Sequence, residues 1–216
     1  MAFDKGRKII TDGALELGIV LRADKLAKTE LFYDLLLFWN RSINLTTVTD
    51  EEEFATTHFL DSLLYLKGFP DQGPSLKVLD VGTGAGFPAI PIKIAFPDLD
   101  ILLLEPSFKK TSFLHTVNSK LNLQMPIVEK KVVDWLKINS ERRFDLIVMR
   151  AVGKLEKFVK ELYPALLPTG RIIVSMGPAD IPLKELPNYR LEVLSAPLPG
   201  TAMIRTLFIF HKKGNE

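Results

Sequence analysis

Three glycines at alternate positions follow an acidic residue at the end of an apolar run. The run ends in Asp80, and Gly82, Gly84 and Gly86 follow within the segment DVGTGAGFP. A ligand can approach the backbone closely at glycine because glycine has no Cβ. The helix expected to begin near Phe87 adds unpaired backbone N–H groups. A strand, a glycine-rich turn and a helix in this order are typical of sites for nucleotide-like ligands.

The spacing of the glycines indicates which kind of nucleotide-like ligand is bound. A dinucleotide fingerprint has the form G-x-G-x-x-G, but here Gly86 comes one residue early and Phe87 stands where the third glycine would be. The form G-x-G-x-G after an acidic residue favours S-adenosylmethionine, a nucleoside without phosphates. The alternative is a purely structural connection, because glycine-rich turns also serve as tight links.

Acidic and apolar residues after the next two predicted strands fit the same ligand. Glu105 ends the second strand, 23 residues after the first glycine of the turn, where a carboxylate can accept hydrogen bonds from both ribose hydroxyls. The alternative is an exposed strand-end carboxylate. Val132, Val133 and Asp134 follow the third strand, and we expect them beside the adenine. Asp134 could instead be the N-cap of a short helix that begins there.

Arg150 ends the fourth predicted strand, FDLIVMR. A buried charge without a partner is costly, so a specific partner is expected at the mouth of the ligand crevice. That partner is either a bound reactant or a carboxylate, which could be Asp145, Glu105 or another one nearby.

A dense polar set precedes the glycine turn. Its members are Asn40, Arg41, Asn44, Thr46, Thr47, His58, Asp61 and Ser62. His58, Asp61 and Ser62 share one helical face, but three residues on one helix cannot easily form a Ser-His-Asp triad. We favour a hydrogen-bonded cluster that ties the N-terminal helices to the main domain. The three histidines share no metal-ligand spacing, and no metal site is predicted.

The elements that position these residues form two groups. Residues 1–70 are predicted to be a helical cap, with one helix presenting Leu31, Leu35, Leu36 and Trp39 on an apolar face. A second helix is predicted over 51–66, with Asp50 in the capping position. Residues 71–216 are predicted to be a Rossmann-like domain, the boundary falling in the Gly- and Pro-rich break around 68–75.

Strands and helices alternate beyond that break, which predicts a parallel α/β sheet. The predicted strands are 76–81, 100–105, 126–129, 144–150 and 170–176, with a helix over 155–167, broken at Pro164, before the last. Two further strand-like runs, 191–195 and 206–210, are joined by a short turn-rich segment. They predict a hairpin that gives the sheet an antiparallel edge.

Composition limits the class of protein. A chain of 216 residues with 47% hydrophobic and 25% charged residues can build one good-sized globular core. No apolar run reaches the ~18 residues that a membrane span needs, no signal peptide is evident, and the absence of cysteine fits a cytoplasmic protein. The net charge is only +2, so a nucleic-acid partner must meet a local basic face or a larger assembly. Lys109 and Lys110 lie close enough to Glu105 to reach the crevice mouth.

Six ordered blocks carry a family resemblance. They are FWNRSINLTTV, HFLDSL, LDVGTGAGFPAIPIKI, EPSFKKTSFL, FDLIVMRAV and GRIIVSMG, which together run from about residue 38 to 177. In this combination the chain resembles the RsmG (GidB) family of bacterial 16S ribosomal RNA guanine-N7 methyltransferases.

The resemblance implies a class I methyltransferase fold, a seven-stranded sheet with a reversed edge strand, and S-adenosylmethionine as the methyl donor. The cofactor positions of the family fall on Gly82, Phe87, Glu105, Val132, Val133 and Arg150. The family often has an acidic residue where Val133 stands, so that contact is made by backbone here or is taken over by Asp134.

The resemblance also implies the reaction. Guanine N7 has an in-plane lone pair and no proton, so methyl transfer needs no general base and depends on positioning. We expect Arg150 and the polar set that includes Asn44 to position cofactor or guanine. The expected partner is small-subunit ribosomal RNA within a ribonucleoprotein particle, met by a cytoplasmic monomer. The alternatives are a methyltransferase for another RNA, a protein or a small molecule, an NAD-binding oxidoreductase, and a non-catalytic binding module.

Overall fold

The computed structural model describes residues 3–70, 76–150, 155–176, 186 and 188–213. The N-terminal part is helical, with α1 Asp4–Glu16, α2 Ala23–Asn40, α3 Glu51–Glu53, a π-helix Phe54–Leu60, α4 Asp61–Leu63 and a 3₁₀-helix Leu64–Gly68. The remaining helices are α5 Ala89–Ala95, α6 Phe108–Leu121, α7 Val132–Ile138, α8 Leu155–Leu162 and a 3₁₀-helix Tyr163–Ala165. The strands are β1 Lys77–Val81, β2 Asp100–Leu104, β3 Ile127–Val128, β4 Phe144–Arg150, β5 Leu166–Met176, β6 Tyr189–Pro197 and β7 Ile204–Lys212.

The seven strands form one sheet in the order β3-β2-β1-β4-β5-β7-β6. Strands β1 to β5 run parallel to one another, and β7 runs antiparallel to both of its neighbours, β5 and β6. The predicted α/β sheet with an antiparallel hairpin at its edge is therefore confirmed. The reversed strand is β7, which lies one position in from the edge, while β6 is the edge itself.

Both faces of the sheet are covered by helices. Along β1, Val78 belongs to the core under α5 and α6, whereas its neighbour Leu79 belongs to the core that contains α7 and α8 side chains. This alternation follows from the period of two in a strand, and it explains why the strands read as continuous apolar runs. None of the helices within the described residues is both long and apolar enough to cross a membrane.

The N-terminal helices share the first of these cores. The ring of Phe32 in α2 lies 5.5 Å from that of Phe87 after the glycine turn and 6.4 Å from that of Phe113 in α6. Near the start of α2, Lys25 Nζ donates to the carbonyl of Ala95, the last residue of α5, at 2.6 Å. Residues 71–75 lie outside the described residues, so the division of the chain at 70/71 stays a prediction.

Several predicted details are wrong. In α2 the fully buried apolar side chains are Phe32 and Leu36, whereas Leu31 is 38% exposed, because the helix packs against α5 and α6 together. Asp50 is indeed an N-cap, accepting from the N–H groups of Glu52 and Glu53. The helix predicted over 51–66, however, is divided into α-, π- and 3₁₀-helical segments.

The break predicted at Pro164 in the helix 155–167 is confirmed, but the helix predicted beyond it is wrong. The α-helix stops at Leu162, and Pro164, which lacks an N–H group, lies in the 3₁₀ turn that follows. Leu166 is buried and pairs with Phe144 of β4. Strand β5 therefore begins four residues before the predicted Gly170.

Candidate functional site

The glycine turn leaves its backbone open on one side. Gly82 and Gly84 have φ of +69° and +59°, a region that side chains with a Cβ rarely adopt. A Cβ on Gly82 would meet nothing within 4 Å, and one on Gly84 would meet only the carbonyl of Gly82 at 3.9 Å. Gly86 is different, because a Cβ there would overlap the side chain of Ile90. Two glycines thus leave room for a ligand, and the third allows the turn to pack on α5.

Glu105 closes the turn from the neighbouring strand. It is 4% exposed, and its Oε2 accepts from the N–H of Gly84 while its Oε1 accepts from the N–H of Ser107, both at 3.0 Å. The alternative of an exposed strand-end carboxylate is wrong. Each oxygen of a carboxylate has a second acceptor site, so two further hydrogen bonds can be made in the direction of a ligand.

A second buried carboxylate, that of Asp80 in β1, contacts the glycine turn and the start of α5. Its Oδ2 accepts from Thr83 Oγ1 at 2.7 Å and from the N–H of Ala89 at 3.3 Å, whereas Oδ1 is buried and, within the described part of the chain, has no hydrogen-bond partner. Burial raises the pKa of Asp80 to about 7, although its two hydrogen bonds oppose the rise. We did not predict a site role for Asp80. The only sequence signal is a carboxylate at the end of an apolar strand, directly before a glycine turn.

Arg150 joins the end of β4 to the cap. Its Nη2 donates to the carbonyl of Thr57 at 2.8 Å and lies 3.4 Å from Asp61 Oδ2, while its Nη1 is buried and has no hydrogen-bond partner among the described residues. The expected carboxylate partner therefore exists, but it is neither Asp145 nor Glu105. Asp61, which is 3% exposed, also pairs with Arg205 of β7, Nε to Oδ1, at 2.8 Å.

His58 lies beside this arginine. Its ring packs against that of Phe87, with 4.5 Å between the centroids and 37° between the ring planes, and its Nε2 is 2.8 Å from Thr46 Oγ1. Its Nδ1 lies 3.1 Å from the carbonyl of Thr57 and 3.3 Å from Arg150 Nη2, so both ring nitrogens are in contact with polar atoms of the protein. Burial, and then the charge of Arg150, lowers the pKa of His58 to about 4, so the ring is neutral at pH 7.

The polar loop before the π-helix is fixed from within. Asn40 Oδ1 accepts from the N–H groups of Leu45 and Thr46, and its Nδ2 donates to the carbonyl of Thr46. Asn40 is therefore a structural clamp. Asn44 is exposed at the surface of the loop. The hydrogen bond between Thr46 and His58 connects this loop to the aromatic pair formed by His58 and Phe87.

The remaining predicted residues are placed as follows. Phe87 is 7% exposed, and its side chain packs among the rings of Phe32, Phe54 and His58. Val132 is buried and Val133 half-buried at the start of α7. Asp134 is not an N-cap, because α7 begins two residues earlier with Lys131 as its N-cap. The Asp134 carboxylate is exposed and lies 3.4 Å from Lys137.

His58, Asp61 and Ser62 do not form a catalytic triad. The Ser62 hydroxyl donates to the carbonyl of His58, and the Asp61 carboxylate faces two arginines. The favoured interpretation, a hydrogen-bonded cluster that ties the cap to the main domain, is confirmed. Within the described ranges, no group of three or more His, Asp or Glu residues has an arrangement that could hold a metal ion.

Comparison with known proteins decides the family. The family model GidB, described as rRNA small subunit methyltransferase G, matches residues 25–187. The chain belongs to this family. It is 37% identical over 211 residues to the ribosomal RNA small subunit methyltransferase G of Geobacter sp. strain M21, covering 94% of this chain and 96% of that protein. It is 35% identical over 218 residues to the protein of that name from Caldanaerobacter subterraneus, covering 96% and 90%.

Solved structures support the fold independently. A methyltransferase from Pyrococcus furiosus superposes with a TM-score of 0.56 at 16% identity, over 89% of this chain and all of that one. A precorrin-6y C5,15-methyltransferase from Geobacter metallireducens gives a TM-score of 0.55 at 18% identity, over 80% and 92%. At these identities the likeness concerns the class I methyltransferase fold alone.

Membership of the GidB family makes the chain an S-adenosylmethionine-dependent methyltransferase of small-subunit ribosomal RNA. The alternatives of an NAD-binding oxidoreductase and of a methyltransferase for proteins or small molecules are therefore wrong. The roles of individual residues at the site stay predictions.

We predict that His58 makes stability depend on pH. Below pH 6.5 the unfolded chain protonates this histidine, whereas the folded protein does not until about pH 4. The stability that His58 provides is present above pH 6.5 and is lost as the pH falls toward 4. The difference in unfolding free energy between the wild type and His58→Gln should shrink by about 2 kcal/mol from pH 7 to pH 5.

Denaturant titrations of both proteins at several pH values measure this difference, and the contribution of Asp80 cancels because both proteins contain it. A difference that stayed constant with pH would show that His58 is not held neutral.

Proposed function

We propose that this enzyme transfers the methyl group of S-adenosylmethionine to N7 of one guanine in small-subunit ribosomal RNA. One observation carries the proposal. The open glycine turn after β1 and the partnerless Nη1 of Arg150 stand at the C-terminal ends of two adjacent strands. Ligands of open α/β sheets bind at this edge, so donor and acceptor can meet there.

The residues present fit S-adenosylmethionine. The space beside Gly82 and Gly84 admits a nucleoside against the backbone, and Glu105 has acceptor capacity left for ribose hydroxyls. Asp80 Oδ1 is a buried acceptor without a partner, which the ammonium of the methionine moiety would satisfy directly or through a water. Val132 and Val133 offer an apolar surface for the adenine, with Asp134 at its exposed side.

The chemistry requires alignment rather than proton transfer. The cofactor supplies a methyl group on a positively charged sulfur, which keeps the electron pair of the broken S–C bond as the N7 lone pair forms the new C–N bond. N7 has no proton to lose, so the chain needs no general base. Its residues must hold the nitrogen, the methyl carbon and the sulfur in line.

We assign this positioning to Arg150, with Asn44 on the guanine side. Nη2 of Arg150 is held by Thr57 and Asp61, so Nη1 is presented in a fixed direction. A fixed N–H donor can bind a carboxylate or the O6 of guanine, leaving the N7 lone pair free. The carboxylate of Asp61 offsets the arginine charge next to a purine that becomes cationic. Asn44 is exposed on the clamped loop, where an amide can bond to a base edge.

The form of the substrate follows from charge. A net charge of +2 supports few phosphate contacts overall, which favours a ribonucleoprotein particle over naked RNA. We therefore propose a cytoplasmic monomer that meets a small-subunit particle and contacts its RNA through a local surface.

The glycine turn provides a test of the cofactor site with a matched control. Gly82→Ala and Gly84→Ala force a Cβ into the left-handed region, as does Gly18→Ala, where φ is +76° and the space is equally open but lies between α1 and α2. All three should lose about 1 kcal/mol of stability. Only the first two should weaken S-adenosylmethionine binding, by about tenfold or more.

Calorimetric titration with S-adenosylmethionine and thermal unfolding measure the two effects separately. Equal affinity in Gly82→Ala and Gly18→Ala would place the cofactor elsewhere.

Arg150→Ala should lower kcat/KM on the order of 100-fold, because alignment of the reactants is lost. Arg150→Lys should recover little, since an ammonium cannot reproduce the fixed fork. Arg171 is the matched control, because its Nη1 ties β5 to the carbonyl of Gly68 at 2.9 Å, away from the glycine turn. Arg171→Ala should reduce stability while leaving kcat/KM of the folded protein near wild type. Normal methylation by Arg150→Ala at limiting cofactor and RNA would exclude the proposed role.

The reaction itself is tested by mapping N7-methylguanine in small-subunit ribosomal RNA from cells with and without this protein. One site should lose its signal in the absence of the protein and regain it when the wild-type chain, but not Gly82→Ala, is restored. An unchanged signal would refute guanine N7 as the acceptor.

A further inference from the structure

One aromatic side chain near the proposed cofactor site is exposed to solvent. Phe108, the first residue of α6, is 71% exposed, the largest value for a large apolar side chain within the described residues. It contributes to neither hydrophobic core. Its place is fixed, because the Glu105 carboxylate bonds to the N–H of Ser107 on one side and to that of Gly84 on the other. The ring therefore lies at the rim of the glycine turn and not at a remote surface.

Four lysines lie on two segments near this position, the start of α6 and the end of β3. Lys109 and Lys110 follow Phe108 in the first turn of α6, and Lys130 and Lys131 follow β3. The two segments are joined by Thr111 Oγ1, which donates to Glu129 Oε2 at 3.0 Å. In the part of the chain that the structure describes, none of the four ammonium groups lies within 4 Å of a carboxylate.

We propose that this basic aromatic rim, consisting of Phe108, Lys109, Lys110, Lys130 and Lys131, binds the ribosomal RNA strand next to the methylated guanine. One unpaired base stacks on Phe108, and the lysines contact the flanking phosphates. An exposed aromatic ring among unpaired cations is the combination that single-stranded RNA recognises, because every base has a face to stack and every nucleotide has an anion. The inference rests on the proposed function, since it takes small-subunit RNA as the substrate.

The basic aromatic rim also explains how a chain of low net charge could bind RNA. A chain of +2 attracts RNA weakly as a whole, but four unpaired lysines on adjoining segments create a local positive field that acts within a Debye length of about 8 Å. The competing role for Phe108 is to stack on the adenine of S-adenosylmethionine. The two roles differ in which affinity falls when the ring is removed.

The test uses small-subunit particles from cells that lack this protein, and it measures affinity for the particle, affinity for S-adenosylmethionine, and thermal stability. Phe108→Ala should weaken particle binding about fivefold or more, and Phe108→Trp should restore it, because the stacking face returns. The double variant Lys109→Ala/Lys110→Ala should reduce the salt slope of log K by about 1.4 to 1.8, as expected for two lost phosphate contacts. Cofactor affinity and stability should not change in any of these variants.

The matched controls lie at the N-terminal edge of the sheet. They are Phe96→Ala, an exposed ring that is 40% accessible, and Lys77→Ala, an exposed lysine at the start of β1. Both should bind particles like the wild type. The inference is overturned if Phe108→Ala binds particles normally, or if it loses affinity for S-adenosylmethionine instead. A wild-type protein that methylated no small-subunit RNA would refute the proposed function, whereas normal wild-type methylation with unaffected rim variants would refute the rim alone.

Discussion

One buried carboxylate holds the N-terminal helices against the sheet. Asp61 is 3% exposed and lies between Arg150, at the end of β4, and Arg205, at the start of β7. A buried charge that loses one of its partners is costly. The cap, the parallel strands and the antiparallel hairpin must therefore assemble together for this carboxylate to be compensated.

The geometry of the site depends on that assembly. Arg150 is tied on one side by Asp61 and Thr57, which leaves its Nη1 available. Tyr65 of the cap reinforces the same region, because its hydroxyl donates to the carbonyl of Met149 at 2.8 Å and accepts from the N–H of Ser175 at 3.1 Å. This fully buried hydroxyl inserts between the C-terminal ends of β4 and β5, so the C-terminal edge of the sheet is shaped by the cap.

The parts of the structure that sequence could predict are those set by local pattern. Alternating apolar runs and helices predicted the sheet and its hairpin, and the spacing of Gly82, Gly84 and Glu105 predicted where the turn and the second strand meet. Interactions between distant segments could not be predicted. The partner of Arg150 is a cap residue 89 positions earlier in the chain, and no local pattern specifies such a pairing.

The predictions of helix type and of the buried helix face were wrong for the same reason, because they depend on contacts between distant segments. The segment that begins at Glu51 has the periodicity of one continuous helix, yet residues 54–60 are π-helical at the point where the carbonyl of Thr57 accepts from Arg150. Wider turns of this kind are frequent at functional sites. The choice of Phe32 over Leu31 in α2 likewise depends on the rings of Phe54, Phe87 and Phe113, which come from three separate segments.

The titratable groups around the site are consistent with a reaction that moves no proton. Burial lowers the pKa of His58 to about 4 and raises that of Asp80 to about 7, so each is shifted toward its neutral form. Both ring nitrogens of His58 contact polar atoms of the protein, Nε2 that of Thr46 and Nδ1 those of Thr57 and Arg150, so the ring has no free lone pair for a substrate. Methyl transfer from a sulfonium to a ring nitrogen conserves one positive charge from start to finish. The proposed site therefore has to keep a cation aligned. We assign this task to the carboxylates of Glu105 and Asp61, which are held by backbone amides and arginines respectively and need not reorganise as the charge moves.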